Sequence, residues 1–271
     1  MAGNTHHRLS IIDARRRLEP APMTMNINDL DQTMQQASTA LVEMRYLEAE
    51  RLCLDALDTA LEREQWSYVA RIVLPLQEAR RQRRMIAADT AVQLGTLELD
   101  DLQAWIEPGE TRGGPDGCLL VTRPCTIDDA RSALRRLREQ DRHAEIMFAD
   151  AEVEEGPDFD ADELWPIVSL IDEEVSVACA APCDAWLGRP LRPGDADWHA
   201  PAATAEAPTP ADWFLDAAER LGDTAIDKAS RAATPRDRFD QLQRLLDAAP
   251  DHELLHQALA DTARALSRTK S

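Results

Sequence analysis

The chain has 271 residues, of which 44% are hydrophobic, and it carries a formal net charge of −20. This length is sufficient for a sizeable core and favours two or three small domains over one. An excess of carboxylates repels phosphate, which excludes nucleic acids and anionic membranes as the expected partners. Because no apolar run is long enough to cross a bilayer and the five cysteines are an odd number, we expect a reduced, cytoplasmic protein without a disulfide framework.

Residues 1–26 contain no apolar core of a signal peptide, and we expect a disordered tail there. Residues 27–108 are predicted to form a helical-repeat-like domain with the order helix, tight turn, helix, turn, helix. Its apolar residues recur at helical spacing: Leu41, Met44, Leu47, Leu54, Leu57, Leu61, Val69, Ile72, Val73, Leu76. Pro75 lies inside the third helix and is expected to kink it or to end its first half, since proline removes a backbone donor.

The second of these helices opens with an aromatic residue and carries small residues on one face: Tyr46, Ala49, Cys53, Ala56. With this pattern the stretch 30–63 resembles one unit of a tetratricopeptide repeat, and residues 210–267 are a second possible region. The proline that usually ends such a unit is missing near Glu62. The resemblance implies stacked helical hairpins that present a concave face to a peptide or protein. The alternative is an ordinary helical bundle.

Residues 115–182 are predicted to form a small acidic α/β module. An apolar run at 117–122 predicts a buried strand, and Thr126 followed by two aspartates predicts the N-cap of a helix over 127–140. A second strand at 144–149 completes a βαβ unit. Two further short strands are expected at 165–170 and 175–178. Residues 115–209 hold 21 acidic and 8 basic residues, which is most of the negative charge.

The remaining chain is predicted to comprise a linker and a second helical domain. Residues 183–209 are rich in proline, alanine and aspartate, with Trp186 and Trp198 available to pack the segment. Residues 210–271 are expected to be helical, with a break at Pro250 before the last helix. The predicted fold is therefore mainly α with a small α/β insert, in which tetratricopeptide-like helical hairpins flank a βαβ-type module.

One motif has the spacing of a metal site. His252, Glu253 and His256 match the H-E-x-x-H signature, in which two histidines bind zinc and the glutamate activates its water. Pro250 would put the first histidine in the first helical turn, and the third ligand would have to come from upstream, from Asp197 or His199. The alternative is a capped surface helix with two exposed histidines. Four cysteines bracket the α/β module without the spacing of structural zinc: Cys118, Cys125, Cys179, Cys183. Of these, Cys118 and Cys179 are expected to be core residues of strands, and Cys53 is expected in the core of a helix.

Two further sites are suggested by arginines. The run Arg80, Arg81, Arg83 and Arg84 could contact an acidic partner or an anion, although cations also occur at solvated helix ends, where they complement the helix dipole. Arg123 follows the first strand of the βαβ unit and precedes a helix N-terminus, a position where a small anionic ligand could bind.

The sequence favours a non-enzymatic scaffold or adaptor that uses its helical hairpins to bind a protein or peptide and needs no cofactor. The acidic module favours a basic partner. The alternatives are a zinc-dependent hydrolase that uses His252, Glu253 and His256, and a regulatory module that binds a small ligand near Arg123.

Overall fold

The computed structural model describes residues 27–96, 98–107, 116–153, 163–199 and 208–269. Within these ranges the chain forms eight α-helices: α1 (Ile27–Val42), α2 (Tyr46–Glu62), α3 (Trp66–Thr90), α4 (Leu99–Ile106), α5 (Ile127–Glu139), α6 (Pro210–Ser230), α7 (Pro235–Leu245), α8 (Glu253–Thr269). Six strands form one mixed sheet: β1 (Val92–Leu94), β2 (Gly117–Arg123), β3 (Ala144–Glu152), β4 (Leu164–Val168), β5 (Ser176–Ala180), β6 (Pro190–Leu191). The fold is mainly α with an α/β insert, as predicted.

Two further predictions concern the N-terminal tail and membrane-spanning segments. The tail predicted for residues 1–26 lies outside the described residues. None of the helices in the described ranges is long and apolar enough to cross a membrane.

The first three helices are joined by two turns of the same geometry. Met44 and Glu64, which lie 20 positions apart, both have positive φ angles, of 58° and 50°. In each turn the next amide donates to the carbonyl five residues back, from Arg45 to Ala40 and from Gln65 to Ala60, both at 2.8 Å. In both turns the helix therefore ends at a residue in the left-handed conformation, which is a common C-terminal cap. An aromatic residue then opens the following helix, so the pattern turn–aromatic–helix occurs twice.

The two helical regions of the sequence form one helical layer. Residues of α1, α2 and α3 share a hydrophobic core with α7 and α8, and α8 packs along α3. At the centre of this core the rings of Trp66 and Phe239 meet edge to face, with centroids 4.9 Å apart. The helix α3 continues through Pro75 to Thr90, so the prediction that this proline ends its first half is wrong.

The sheet has the strand order β5-β4-β3-β2-β1-β6. The three consecutive strands β1, β2 and β3 are parallel, joined by α4 and α5, whereas β4, β5 and β6 are antiparallel to their neighbours. The predicted βαβ unit is thus present as β2–α5–β3. Residues 92–106, which were predicted to belong to the N-terminal helical domain, form β1 and α4 of the sheet layer. The three-residue β1 is too short to show a strand pattern of its own.

Helices cover both faces of the sheet. The end of α3 and the first half of α6 pack on one face, with Ala87, Ala88, Phe214 and Ala218 in that core. Helices α4 and α5 pack on the other face. The second half of α6 joins the helical core through Leu221 and Ala225. Since α3 and α6 each belong to both layers, the predicted borders at 108 and 210 do not separate independent cores.

The segment predicted as a linker is packed over its described part. Trp186 and Trp198 are both buried, and the Trp186 indole donates to the carbonyl oxygen of Asp197 at 3.0 Å. Pro190 and Leu191 form β6 beside β1. Residues 183–199 therefore cover the edge of the sheet, and residues 200–207 lie outside the described ranges.

Candidate functional site

The arginine run on α3 is not an exposed patch. The side chains of Arg80 and Arg83 are only 3% exposed and that of Arg84 is 7% exposed, whereas that of Arg81 is 54% exposed. Positions 80, 83 and 84 share one helical face, which points inward. The predicted contact patch is wrong for these three residues because their guanidinium groups are buried, and so is the prediction of a solvated helix end. Arg81 alone faces solvent.

The buried arginines bind carboxylates of α2 and of the loop between α7 and α8. Arg80 donates from Nε to Glu50 Oε1 at 3.0 Å and from Nη2 to Asp247 Oδ1 at 2.6 Å. Arg83 also donates to Glu50, and Arg84 Nη1 lies 2.5 Å from Asp251 Oδ1. These contacts connect α2 and α3 to the loop between α7 and α8.

The same group of charges reaches the sheet. Arg83 Nη2 lies 3.9 Å from Oε1 of Glu145, which belongs to β3. The positive charge of Arg138 in α5 helps to lower the pKa values of Glu50 and Asp247. We call this set of four arginines and four carboxylates the charged junction: Arg80, Arg83, Arg84, Arg138, Glu50, Glu145, Asp247, Asp251. Its formal charges balance, and it connects the helical layer to the α/β layer.

The pKa values of the junction carboxylates follow from burial and from the arginines. Burial alone would raise the pKa of Glu50, but Arg83 and Arg80 outweigh it and lower the pKa to about 2. The pKa of Asp247 is likewise lowered, since Arg80 overcomes its burial. Burial raises the pKa of Asp251 in spite of Arg84. Glu50 and Asp247 are therefore held as carboxylates by arginine.

A cavity of about 30 Å³ lies beside the junction, between β3, α6 and the loop before α8. Arg84, Arg138 and Asp247 contribute polar groups to its wall, which is otherwise largely apolar. A volume of this size accommodates a water molecule, whereas ligand pockets of metabolite size begin near roughly 300 Å³. The charged junction thus has the dimensions of a structural site.

His252 of the H-E-x-x-H motif caps α8 and inserts into α6. Its Nδ1 accepts a hydrogen bond from the backbone N–H of Leu255 at 3.2 Å. A Cβ atom added to Gly222 of α6 would lie 2.3 Å from His252 Cδ2, so only glycine leaves room for the ring. Within the described residues Nε2 makes no hydrogen bond of acceptable angle, although it lies 3.1 Å from Glu219 Oε1 and 3.4 Å from Asp223 Oδ1.

The remaining residues of the motif point in different directions. His256 is buried and donates from Nδ1 to the His252 carbonyl oxygen at 2.9 Å. Burial, with a further contribution from Arg80, lowers its pKa to about 3. Glu253 is exposed and accepts a hydrogen bond from Gln257 Nε2 at 2.7 Å. The structure therefore does not bring His252, Glu253 and His256 together in the way a catalytic zinc requires.

This motif forms neither the predicted zinc site nor a surface helix with two exposed histidines. The histidines are not exposed, as they would be on a surface helix, because both imidazoles are buried. The upstream candidates do not complete a metal site either, since Asp197 pairs with Arg189 and His199 is exposed. In the described ranges no group of three histidine, cysteine or acidic residues is arranged to hold a metal ion.

The cysteines are free thiols, and four of the five are buried. Burial raises the pKa of Cys118 and Cys179 in the strands and raises that of Cys53 in α2 to about 12. These thiols are therefore protonated near neutral pH and behave as small core residues. This agrees with the interpretation of Cys118 and Cys179 as strand residues of the core.

Arg123 lies at the carboxyl edge of the parallel strands, as predicted. Its Nε donates to Asp150 Oδ1 at 2.8 Å, and Nη1 lies 3.8 Å from Glu152 Oε1. Between the ends of β1 and β2, Thr96 N donates to Thr122 Oγ1 at 2.9 Å and Thr122 N donates to Thr96 Oγ1 at 3.0 Å. The arginine is thus neutralised by two carboxylates, and the cleft between the strand ends is bridged by threonines.

The helix N-termini at this edge are also satisfied by the chain itself. Asp129 caps α5 together with Thr126, and Asp101 caps α4 together with Glu98. Carboxylates therefore occupy the positions where helix dipoles would attract an anionic ligand.

A row of exposed carboxylates on α6 was not recognised in the sequence. The row repeats every three or four positions, and all five side chains are exposed: Asp212, Asp216, Glu219, Asp223, Asp227. Arg220 is the one basic residue between Asp212 and Asp227. Because these positions share one helical face, the spacing alone could have identified the acidic face. Gly222 inside a helical pattern was likewise a signal of close packing.

Comparison of the chain with protein-family models, with curated proteins and with solved structures found no match.

Proposed function

We propose that the chain is a non-enzymatic scaffold or adaptor that binds a basic segment of a partner protein along the exposed face of α6. The observation that carries this proposal is the row of five carboxylates from Asp212 to Asp227, which spans four helical turns with Arg220 as its one internal cation. Exposed like charges at this spacing repel one another and therefore cost stability. Pairing with a basic partner would relieve that repulsion.

The helical layer supports the scaffold part of the proposal. Its first three helices repeat the same turn geometry and the same aromatic helix start, at Tyr46 and Trp66. Repeated helical hairpins are the building blocks of tetratricopeptide-like binding proteins. We include the tetratricopeptide-like arrangement of α1–α3 with α7 and α8 in the proposal.

The charge of the row supports a basic partner. His252 approaches two of its members, Glu219 and Asp223, from the buried side. The outer oxygens remain open to solvent, since the side chains of Glu219 and Asp223 are 58% and 62% exposed. Carboxylates of this kind steer a cationic chain into contact and give an association that weakens with salt.

The experiment titrates a fluorescently labelled peptide of alternating lysine and alanine into the protein and measures its anisotropy. We expect saturable binding that weakens as the ionic strength rises, and no binding of a matched peptide in which glutamate replaces lysine. A triple variant removes three charges of the row: Asp216→Asn, Asp223→Asn, Asp227→Asn. We expect it to weaken binding by at least about tenfold, the equivalent of ~1.4 kcal/mol.

A matched control removes three exposed carboxylates from other elements: Asp89→Asn, Asp141→Asn, Asp184→Asn. It has the same net charge as the triple variant of the row and should retain most of the binding. Equal losses in the two triple variants would mean that net charge alone attracts the peptide, and the proposal would fail.

A further inference from the structure

A surface cavity lined by basic residues lies at the C-terminal end of α8, the end opposite His252. The first turn of α3 and the last turns of α8 enclose a surface cavity of about 310 Å³. It is lined by one alanine, two serines and three arginines: Ser67, Ala70, Arg71, Arg264, Ser267, Arg268. Arg268 is 16 positions beyond His252, which places the cavity about 24 Å along the helix from the row on α6.

The three arginines outnumber the carboxylates beside them. Arg71 Nη1 lies 3.6 Å from Asp31 Oδ1, and Arg264 Nη1 lies 2.6 Å from Asp261 Oδ1. Arg268 has no ion pair with any residue of the described ranges. The wall is therefore locally positive, in a chain whose formal net charge is −20.

The N-terminus of α3 contributes to the same wall. It has no side-chain cap and no acidic residue in its first turn, where Ser67 lies at the cavity, and Arg71 follows in the second turn. By contrast, α5 and α6 each begin with a threonine cap and an aspartate three positions later. The N-terminus of α3 thus carries no acidic residue, and its helix dipole favours an anion near Ser67.

We propose that this cavity binds the phosphate group of a small-molecule ligand. Three guanidinium groups on two helices offer more donors than the two oxygens of a carboxylate can accept, whereas a phosphate monoester presents three terminal oxygens that share its negative charge. Arginine also matches phosphate through paired N–H groups. The volume suits a phosphate with a small organic body. This site is separate from the proposed peptide-binding face and does not depend on it.

The test is a titration of the full chain, labelled with ¹⁵N, with inorganic phosphate at constant ionic strength. We expect saturable shifts of the Ser67 and Tyr68 amide resonances, and at least fivefold weaker binding of acetate. The variant Arg71→Ala/Arg268→Ala should weaken phosphate binding at least tenfold. Asp261→Asn should tighten it at least twofold, because this change releases Arg264 from its ion pair.

The control is Arg192→Ala/Arg231→Ala, which removes the same charge from two exposed arginines that do not line the cavity. It should leave phosphate affinity within twofold of the wild type. The proposal is overturned if no saturable shift occurs at Ser67, if acetate binds as tightly as phosphate, or if the two double variants lose equal affinity. In the last two cases the arginines act only as general cations at the end of α8.

Discussion

The charged junction around Arg80 and the acidic row on α6 both concentrate charge, but they differ in balance and in exposure. The junction brings four arginines and four carboxylates together between the two layers, and three of the arginines form ion pairs there. The row holds five exposed carboxylates, and Arg220 is the single cation inside it. In the junction the positive and negative charges are equal in number and lie within the chain, whereas the row has five negative charges and one internal positive charge.

The difference separates charges that hold the fold from charges that are available for binding. Arg80 and Arg81 are neighbours in sequence, yet one is 3% and the other 54% exposed. A buried charge that loses its partner is left in a low-dielectric environment, and the cost is large. An exposed charge that loses its partner is solvated by water, and the cost is small.

The largest expected effect is the loss of stability in Arg80→Ala. The change leaves Glu50 without one of its two arginines and Asp247 without its hydrogen-bonded partner. We expect the free energy of unfolding to fall by about 3–5 kcal/mol. The matched variant Arg81→Ala, on the outer face of the same helix, should cost less than about 1 kcal/mol. Urea denaturation measures both, and a similar small loss in the two variants would contradict the structural role of the junction.

The next effect is a loss of stability in acid, in two stages. Burial lowers the pKa of His256 from 6.5 to about 3, so the unfolded chain binds a proton more readily as the pH falls below 6.5. The arginines lower the pKa of Glu50 from 4.5 to about 2, so its contribution is present above pH 4.5 and is lost as the pH falls from there towards 2. For Glu50 the full contribution is on the order of 3 kcal/mol.

Histidine variants separate the two stages. His256→Gln should flatten the dependence of the unfolding free energy on pH between 6.5 and 4.5, measured by urea denaturation at several pH values. The control His199→Gln changes an exposed histidine and should leave the slope as it is. An unchanged slope in His256→Gln would show that a different group controls stability in this range.

A smaller effect concerns the contact between α6 and α8. Gly222→Ala would place a methyl group against the His252 ring, and overpacking of this kind costs about 1–3 kcal/mol. In the background His252→Ala the same change should stabilise the protein, because alanine is favoured over glycine in a helix by about 1 kcal/mol. Thermal unfolding of the four proteins in this cycle measures the reversal. A stabilising Gly222→Ala in the wild-type background would contradict the close contact.

The smallest expected effect is on the stability of the row variant with Asp216, Asp223 and Asp227 changed to asparagine. Its unfolding free energy should be no lower than that of the scattered control and up to about 1 kcal/mol higher, since the side chains are exposed and their mutual repulsion is relieved. A loss above ~2 kcal/mol would assign the row to the fold and not to binding.

Much of the fold follows from local patterns in the sequence. The helical spacing from Leu41 to Leu76 and the strand–cap–helix order around Thr126 predicted elements that the structure contains. By contrast, β1 has three residues and becomes a strand only by pairing with β2 and β6. The contact of α6 with both layers is also non-local. The spacing of apolar residues shows which face of a helix is buried, but not which element packs against that face.

The sites were harder to predict because burial decides the role of a charged residue. The three buried arginines form a basic run in the sequence, yet their partners lie 30 or more positions away: Glu50, Asp247, Asp251. The same applies to His252, whose environment is set by Gly222 of another helix. The row on α6 is different, since its members lie within a single helix and their spacing could have been recognised in the sequence.

Zero-length cross-linking tests the central claim most directly. A carbodiimide joins lysines of the bound basic peptide to the carboxylates that they contact, and mass spectrometry identifies the linked residues. We predict that the cross-links concentrate on Asp216, Glu219, Asp223 and Asp227 and disappear at high salt. Cross-links concentrated in the acidic stretch 154–162, or distributed evenly over exposed carboxylates such as Asp89 and Asp184, would contradict α6 as the binding surface.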